Sequence, residues 1–360
     1  MKRTLTFCFL TLLCLSPNLA AGQSSTIPLV DSLQGILGQT SDVSSKIPLL
    51  IELSGALSAL QPDSSLQYAQ EAFSLALSLG DQALQAEAVL KMVPYYLQTS
   101  QYAKSDSLLG MLQPLATETT DASLLGSYYH AIGINAQYQK FYSEAIQAYL
   151  KALEYQEPFA EPKDLIADYV NIGSLIARRG RLEVGIDYMM QAYGLAQANG
   201  YPLVQIEYNI AQAYTSQQVH DSAWHYAQKA LVSARREATA FGEFKAYEIL
   251  PVIGVKAGYP DSALVYARKG LAIAQETGNP RIEYAHRLNL VYALNGLERP
   301  EEALREYEEA QKLGQWEHRQ DLIYSQIMEM LGRYKEANQY YLMFWERLYI
   351  RSNSLICKMS

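Results

Sequence analysis

Histidines and arginines are the side chains of this sequence whose spacing could support catalysis or ion binding. His220 and His225 are five residues apart, so a helix would not place both on one face where they could share a metal ion. His130, His286 and His318 are isolated along the chain. Because no phosphate-binding glycine loop, HExxH, CxxC or GxSxG motif is present, the sequence predicts no catalytic site, no metal site and no cofactor.

Arg178, Arg179 and Arg181 form a basic cluster in an otherwise acidic chain. Two guanidinium groups could hold a carboxylate or a phosphate through paired hydrogen bonds. A cluster of this kind is also typical of a solvated turn, and the sequence favours that interpretation. The segment 298–309 is rich in glutamate with arginine interspersed, which indicates a charged helix face.

Composition excludes one class of partner. The chain has 360 residues, 49% of them hydrophobic, and a formal net charge of −8. This supplies enough apolar material for a large core. An acidic protein gains nothing from the counterion release that drives binding to nucleic acids, so we expect no nucleic-acid partner.

The N-terminus has the layout of a secretory signal peptide. Lys2 and Arg3 precede the apolar run Leu5–Leu15, and small residues follow. We predict a signal peptide at 1–22, cleaved near Ala21 or Gly22, and export to the periplasm or cell envelope. The alternative is an uncleaved anchor, although a run of about 11 residues is short for a span that needs about 20. We expect no integral membrane segment in the mature chain.

Cleavage there would change charge and cysteine content. It removes two basic residues and no acidic ones, so the net charge falls from −8 to −10. It also removes Cys8 and Cys14 and leaves Cys357 alone. The mature protein could then form no intramolecular disulfide, and packing alone would have to stabilise it.

The stretch Gly126–Glu157 indicates the elements that must position any site. It is typical of two short amphipathic helices joined by a tight turn. Gly133, Ala145 and Ala152 are small residues that would let the two helices approach closely. Tyr149 would fill the space between them.

The same pattern recurs eight times, which predicts a repeat array. If Gly126 is position 1 of its repeat, Ala145 is position 20. The residues at position 20 of all eight repeats are Gly, Ala or Ser. From 46 to 351 we therefore predict an all-α fold, a right-handed α-solenoid of about eight helix-turn-helix repeats with a period of about 40 residues. A leader segment at 23–45, with one helix around Leu29–Leu37, would precede it, and a tail at 352–360 would follow. The repeats begin near Lys46, Ala86, Gly126, Ile166, Val204, Phe244, Tyr284 and His318.

Glycine and proline refine this prediction. Gly80, Gly200 and Gly278 all stand at position 35, where a left-handed residue would end a second helix lengthened by about a turn and a half. Pro94 and Pro251 fall inside first helices, and we expect Pro251 to kink its helix and free a carbonyl group. The first repeat departs from the pattern at positions 7 and 8, where it has Glu52 and Leu53. This indicates that its register is shifted by one residue.

The small residues at positions 8, 20 and 27 and the aromatic residue at position 24 resemble the tetratricopeptide repeat. In arrays of that family, first helices line a concave groove, and positions 2, 5, 9, 12 and 13 contact the ligand. The resemblance implies a protein or peptide partner, either as an extended peptide or as a helix. Few lysines and arginines cluster among these positions, so we do not expect a clamp for a C-terminal carboxylate. The implied groove residues are His130, Gln137, Tyr138, Ser174, Arg178, Tyr208, Gln212, Thr215, Lys245, Glu248, Lys256, Tyr292 and Asn295.

Two segments extend the resemblance. SKIPLLIELSGALSALQPDSSLQYAQEAFSLALSLGD and YKEANQYYLMFWERLYIRSNSL are similar to the exported sensor regions of bacterial histidine kinases and transcriptional regulators. There, a membrane helix and an output domain normally follow. The first hypothesis is a non-enzymatic exported scaffold in sensing or envelope assembly. The second is a truncated or split sensor that lacks its output domain. The third is an envelope glycan-binding protein that uses some of the 28 tyrosines, which packing between helices explains more simply.

Overall fold

The computed structural model describes residues 23–58, 61–118, 121–156, 161–237, 240–276, 278–314 and 320–356. The predicted signal peptide at 1–22, the predicted start of the eighth repeat at His318 and residues 357–360 of the predicted tail lie outside them.

Over the described residues the chain forms 17 α-helices and no strand, which confirms the all-α prediction. Eight helix pairs follow α1, so we call α2, α4 and the later even-numbered helices first helices, and α3 and the later odd-numbered ones second helices. The helices are α1 Gln23–Gln39, α2 Val43–Leu57, α3 Pro62–Leu79, α4 Gln82–Gln98, α5 Tyr102–Glu118, α6 Ala122–Tyr138, α7 Tyr142–Gln156, α8 Pro162–Arg178, α9 Leu182–Asn199, α10 Val204–Ser216, α11 His220–Arg236, α12 Ala240–Lys256, α13 Pro260–Glu276, α14 Pro280–Gly296, α15 Pro300–Leu313, α16 Gln320–Met330 and α17 Tyr334–Ile356.

The chain divides into two compact units. The N-terminal unit comprises residues 1–217 with 237–241, and the C-terminal unit comprises 218–236 with 242–360. In the N-terminal unit each helix from α1 to α10 packs on the next, and α4 also contacts the first helices α2 and α6. In the C-terminal unit α13 to α17 pack in the same consecutive way. This packing of successive helix pairs is that of an α-solenoid.

The predicted leader is part of this packing. α1 contains the helix expected around Leu29–Leu37, and α2 begins at Val43, three residues before the predicted start of the array. Val30 and Leu33 of α1 are buried against Leu53 and Leu57 of α2. α1 therefore covers apolar residues of the first repeat that would otherwise face water.

The small residues lie where the repeat pattern predicted close helix contacts. Ala145 is fully buried, and a Cβ atom on Gly133 would lie only 2.6 Å from the ring of Tyr149. In the next pair, a Cβ atom on Gly185 would lie 2.5 Å from the carbonyl oxygen of Gly173. Side chains at these positions would force the two helices of a pair apart.

Glycines end the second helices as predicted, but the extra residues of the repeat are shared between both helices. Gly80 and Gly200 follow α3 and α9 in the left-handed conformation, with φ of 69° and 71°, and Gly278 has φ of 63°. However, α4 begins four residues before the predicted start at Ala86, and α4 and α5 both have 17 residues. The lengthening is therefore not confined to the second helix.

The first repeat shows the expected slip of one residue. Ser65 donates a hydrogen bond from its hydroxyl to the carbonyl oxygen of Ser54, at 2.7 Å, and both residues are buried. They are 11 residues apart, whereas Gly133 and Ala145 of the third repeat are 12 apart. Ser54 therefore stands one position later than the small residue of the other repeats.

Proline lies inside five of the described helices, including Pro28 in α1. Pro94 in α4 and Pro251 in α12 were predicted, and Pro28, Pro48 in α2 and Pro114 in α5 were not. Each helix continues through its proline. No helix among the described residues is long and apolar enough to cross a membrane.

Candidate functional site

A cavity in the N-terminal unit lies where three successive first helices meet. It measures about 240 Å³ and is bounded by α4, α6 and α8, with the ring of Tyr149 from α7 at its side. This is the surface that the resemblance implied for ligand contacts. Its lining residues are Pro94, Leu97, Gln98, Ile134, Gln137, Tyr138, Tyr149 and Asn171.

Each of the three first helices contributes one carboxamide to this cavity, namely Gln98, Gln137 and Asn171. The Tyr149 hydroxyl donates a hydrogen bond to Oε1 of Gln137 at 2.8 Å, which leaves the amide hydrogens of Gln137 for another acceptor. Gln98 and Asn171 make no side-chain hydrogen bond within the described part of the chain. The cavity therefore combines apolar walls with groups that can pair with a peptide backbone.

The repeat pattern itself explains the residues that the sequence prediction omitted. Ile134, Gln137 and Tyr138 occupy positions 9, 12 and 13 of the third repeat, and Pro94, Leu97 and Gln98 occupy the same positions of the second. The prediction covered the third to seventh repeats and therefore missed the α4 residues. Asn171 is at position 6 of its repeat, which the family pattern does not mark.

His130, also predicted for the groove, forms a polar contact between α6 and α8. Its Nδ1 lies 2.6 Å from Oδ1 of Asp168, whose side chain is 0% exposed, while that of His130 is 27% exposed. Burial raises the pKa of Asp168, and the hydrogen bond from His130 opposes this shift. The edge of His130 also faces the ring of Tyr149, with centroids 5.7 Å apart. His130, Tyr149 and Gln137 thus form one connected group beside the cavity.

The other predicted residues of α8 and α10 do not line this cavity. The Ser174 hydroxyl lies 3.9 Å from the Met189 sulfur, and the Thr215 hydroxyl donates to the carbonyl of Ala211. Tyr208 is buried and accepts a hydrogen bond from Gln212. A buried ring of this kind offers no platform for a sugar.

The basic cluster stabilises the junction of α7 and α8. The Arg178 guanidinium lies 5.9 Å from the ring centroid of Tyr142, and Arg179 donates a hydrogen bond to the Ser143 hydroxyl. Two of the three arginines are therefore engaged with the start of α7. These contacts favour the structural interpretation of the cluster over an anion site.

In the C-terminal unit the predicted residues lie on α12 and α14. Lys245 forms an ion pair with Glu248 at 2.9 Å. Lys256 lies in the last turn of α12 and is partly exposed. On α14, burial raises the pKa of Tyr292, and the side-chain oxygen of Asn295 is buried without a hydrogen-bond partner in the described structure.

A side chain of α14 bonds the backbone of α12 close to Pro251, although the carbonyl group that the missing N–H of Pro251 would have bonded is that of Tyr247, four residues earlier. The carbonyl oxygen of Glu248, three residues earlier in α12, accepts a hydrogen bond from Nδ2 of Asn289 at 2.9 Å. Asn289 belongs to α14, so this hydrogen bond joins the backbone of α12 to the next first helix.

No protein-family model and no curated protein sequence matches this chain. Solved structures do. A Rap protein complexed with competence and sporulation factor shares 16% identity at a TM-score of 0.56, over 84% of this chain and 97% of that one. NprR in complex with its cognate peptide NprX shares 17% identity at a TM-score of 0.51, over 73% and 82%.

A third similar structure contains a sensor built of this repeat type. It is a signal transduction ATPase with a tetratricopeptide repeat sensor from Pyrococcus horikoshii, with 17% identity and a TM-score of 0.56 over 81% of this chain and 53% of that one. At these identities the likeness concerns the fold. Together with the buried small residues and the successive helix pairs, it shows that this chain has the tetratricopeptide-repeat fold.

Proposed function

We propose that this protein is a non-enzymatic scaffold that binds an extended peptide segment of a protein partner in the cavity bounded by α4, α6 and α8. The observation that carries this proposal is the convergence of Gln98, Gln137 and Asn171 on one cavity with apolar walls. Carboxamides can donate to and accept from a peptide backbone at the same time. An extended peptide needs such groups at regular intervals along its length.

The similar structures support this choice of partner. One was solved with competence and sporulation factor and another with a cognate peptide. The predicted signal peptide at 1–22 supports a location outside the cytoplasm, where the scaffold would act in sensing or envelope assembly. These two roles share the same site and differ only in the partner.

Peptide binding can be tested with a library of fluorescein-labelled octapeptides and the full mature chain. The triple variant Gln98→Ala, Gln137→Ala, Asn171→Ala should weaken binding by tenfold or more, since each hydrogen bond contributes about 1 kcal/mol. Fluorescence anisotropy gives the dissociation constants.

A matched control removes three exposed carboxamides from second helices of the same unit. Gln70, Gln147 and Gln191 are exposed on α3, α7 and α9, and their replacement by alanine should leave affinity within twofold. Equal losses in both triple variants would place binding elsewhere. Failure of every peptide to bind the unmodified protein would overturn the proposal.

A further inference from the structure

A second cavity lies further along α4, between α1, α2 and α4, and measures about 400 Å³. Its apolar wall includes Leu29, Pro48 and Ile51, and its charged groups are Glu52, Glu87 and Lys91. No sequence motif singled out this cavity, because α1 was expected to be part of a leader segment rather than a wall of the array.

The two cavities share one helix. α4 contributes Glu87 and Lys91 to the second cavity and Pro94, Leu97 and Gln98 to the first. Lys91 and Gln98 are seven residues apart, which is about 10 Å along a helix. An extended peptide covers that distance in about three residues. A single bound segment can therefore reach both cavities.

The second cavity has an unbalanced negative charge. Glu52 and Glu87 are exposed carboxylates, and neither forms an ion pair within the described residues. Although Lys91 follows Glu87 by four residues, a spacing that permits pairing, its ammonium group extends across to α2. There it lies 3.8 Å from where a Cβ atom on Gly55 would be. Two carboxylates and one ammonium leave a net charge of −1.

We propose that the peptide bound by this scaffold carries a lysine or arginine about three residues from the apolar side chain that fills the first cavity. The aliphatic stem of the basic residue would lie along Leu29, Pro48 and Ile51, with its cationic end at Glu52 and Glu87. Long basic side chains bury their stems on apolar surface while their charge stays solvated in this way. This inference rests on the proposed function and specifies the chemistry of the partner.

The test uses fluorescein-labelled octapeptides that contain one phenylalanine and, two to six residues away, a lysine, glutamine or glutamate. The lysine peptides with a spacing of about three should bind the full mature chain about threefold to fivefold more tightly than their glutamine counterparts, a range typical of exposed ion pairs. The preference should shrink in 1 M salt, because salt screens exposed charges.

Variants identify the groups responsible. The double variant Glu52→Gln, Glu87→Gln should abolish the preference for lysine while phenylalanine peptides still bind. Lys91→Gln should strengthen it about twofold, since it removes a like charge. The control Glu71→Gln, Glu144→Gln makes the same change in net charge at exposed positions of α3 and α7 and should leave the preference unaltered.

The outcomes separate this inference from the proposed function. Equal binding of lysine and glutamine peptides, or a lysine preference that persists in the Glu52→Gln, Glu87→Gln variant, would overturn the inference alone. Absence of binding by every peptide would overturn both.

Discussion

Asp168 in the N-terminal unit and His286 in the C-terminal unit occupy the same repeat position, the third, and have opposite electrostatic environments. Both side chains are buried, at 0% and 1% exposure. Asp168 has a partner, since Nδ1 of His130 lies 2.6 Å away. Nδ1 of His286 has no hydrogen-bond partner in the described structure, and its ring lies against Phe244 with centroids 4.6 Å apart.

The residue that could pair with each of them stands at position 5 of the preceding repeat. For Asp168 this residue is His130, and for His286 it is Glu248. The second pair does not form, because Glu248 instead pairs with Lys245 at 2.9 Å. Burial, together with the positive charge of Lys245, lowers the pKa of His286 to about 4. The same repeat geometry thus gives a paired buried acid in one unit and an unpaired buried base in the other.

The largest expected effect comes from removing the partner of Asp168. His130→Leu would leave a buried carboxylate without its hydrogen bond, and the free energy of unfolding at pH 7 should fall by about 3 to 4 kcal/mol. Urea denaturation followed by circular dichroism measures this loss. The double variant His130→Leu, Asp168→Asn should recover part of it, because the buried charge is then gone. An unchanged midpoint for His130→Leu would show that the pair contributes nothing to stability.

Burial of His286 should make the protein less stable as the pH falls, because the folded state lowers the pKa of this histidine. Between pH 6.5 and about 4, the unfolded chain binds a proton at His286 that the folded chain does not. Stability contributed by the neutral histidine is therefore present above pH 6.5 and is lost as the pH falls. The total loss is about 3 kcal/mol, since each pKa unit corresponds to about 1.4 kcal/mol.

Urea titrations at pH 7, 6 and 5 measure this slope, with His286→Gln as the comparison protein. The substitution will itself change stability at pH 7, so the informative quantity is the difference between the two proteins as the pH falls. That difference should move steadily in favour of the variant. Parallel pH profiles for the two proteins would contradict the assigned environment of His286.

Glycines beside His286 and beside Tyr149, which contacts His130, allow a third comparison. A Cβ atom on Gly270 would lie 2.6 Å from Nδ1 of His286 and 3.0 Å from Cβ of Tyr247, so the ring has little room to move. Gly270→Ala should therefore reduce the free energy of unfolding by about 1 to 3 kcal/mol. Gly133→Ala, beside the Tyr149 ring, should cost a similar amount.

Gly194→Ala is the control for both substitutions. Gly194 lies inside α9, and a Cβ atom there would have no neighbour within 4 Å, so this change should stabilise the helix by up to about 1 kcal/mol. Thermal unfolding of the unmodified protein and the three glycine variants gives the order of their stabilities. A loss for Gly270→Ala that persists unchanged in a His286→Ala background would show that the ring is not what the methyl group meets.

Much of the fold followed from the sequence, because small residues recur at fixed intervals and each repeat contacts its neighbours. Ala145 and its counterparts identified the helix contacts, and Gly80 identified a helix end. The division of the extra residues between two helices was missed. Helix starts such as Gln82 depend on capping by Asp81, a local signal that is not part of the repeat pattern.

The candidate site was only partly predictable. Gln137 and Tyr138 were found through their repeat positions, and extending the same positions to the second repeat would have found Gln98. Asp168 and Asn171 were not found, because the family pattern marks neither position 3 nor position 6. Asp168 matters because it contacts His130, 38 residues earlier in sequence, and Asn171 because it lines a cavity formed by three helices. Both features depend on how the helices pack.

The smallest expected effect tests why His286 is unpaired whereas Asp168 has a partner. Lys245 pairs with Glu248, and its positive charge lowers the pKa of His286. Lys245→Met removes both effects. Loss of this i,i+3 ion pair should cost about 0.5 kcal/mol at pH 7, while Glu248 becomes available to His286 and raises its pKa from about 4. NMR titration of the His286 ring follows that shift. In the double variant Lys245→Met, Glu248→Gln the pKa of His286 should rise less, since no carboxylate is left to stabilise the protonated imidazole. If the His286 titration is the same in Lys245→Met as in the unmodified protein, then burial alone sets its pKa, and Lys245 does not explain the difference between the two units.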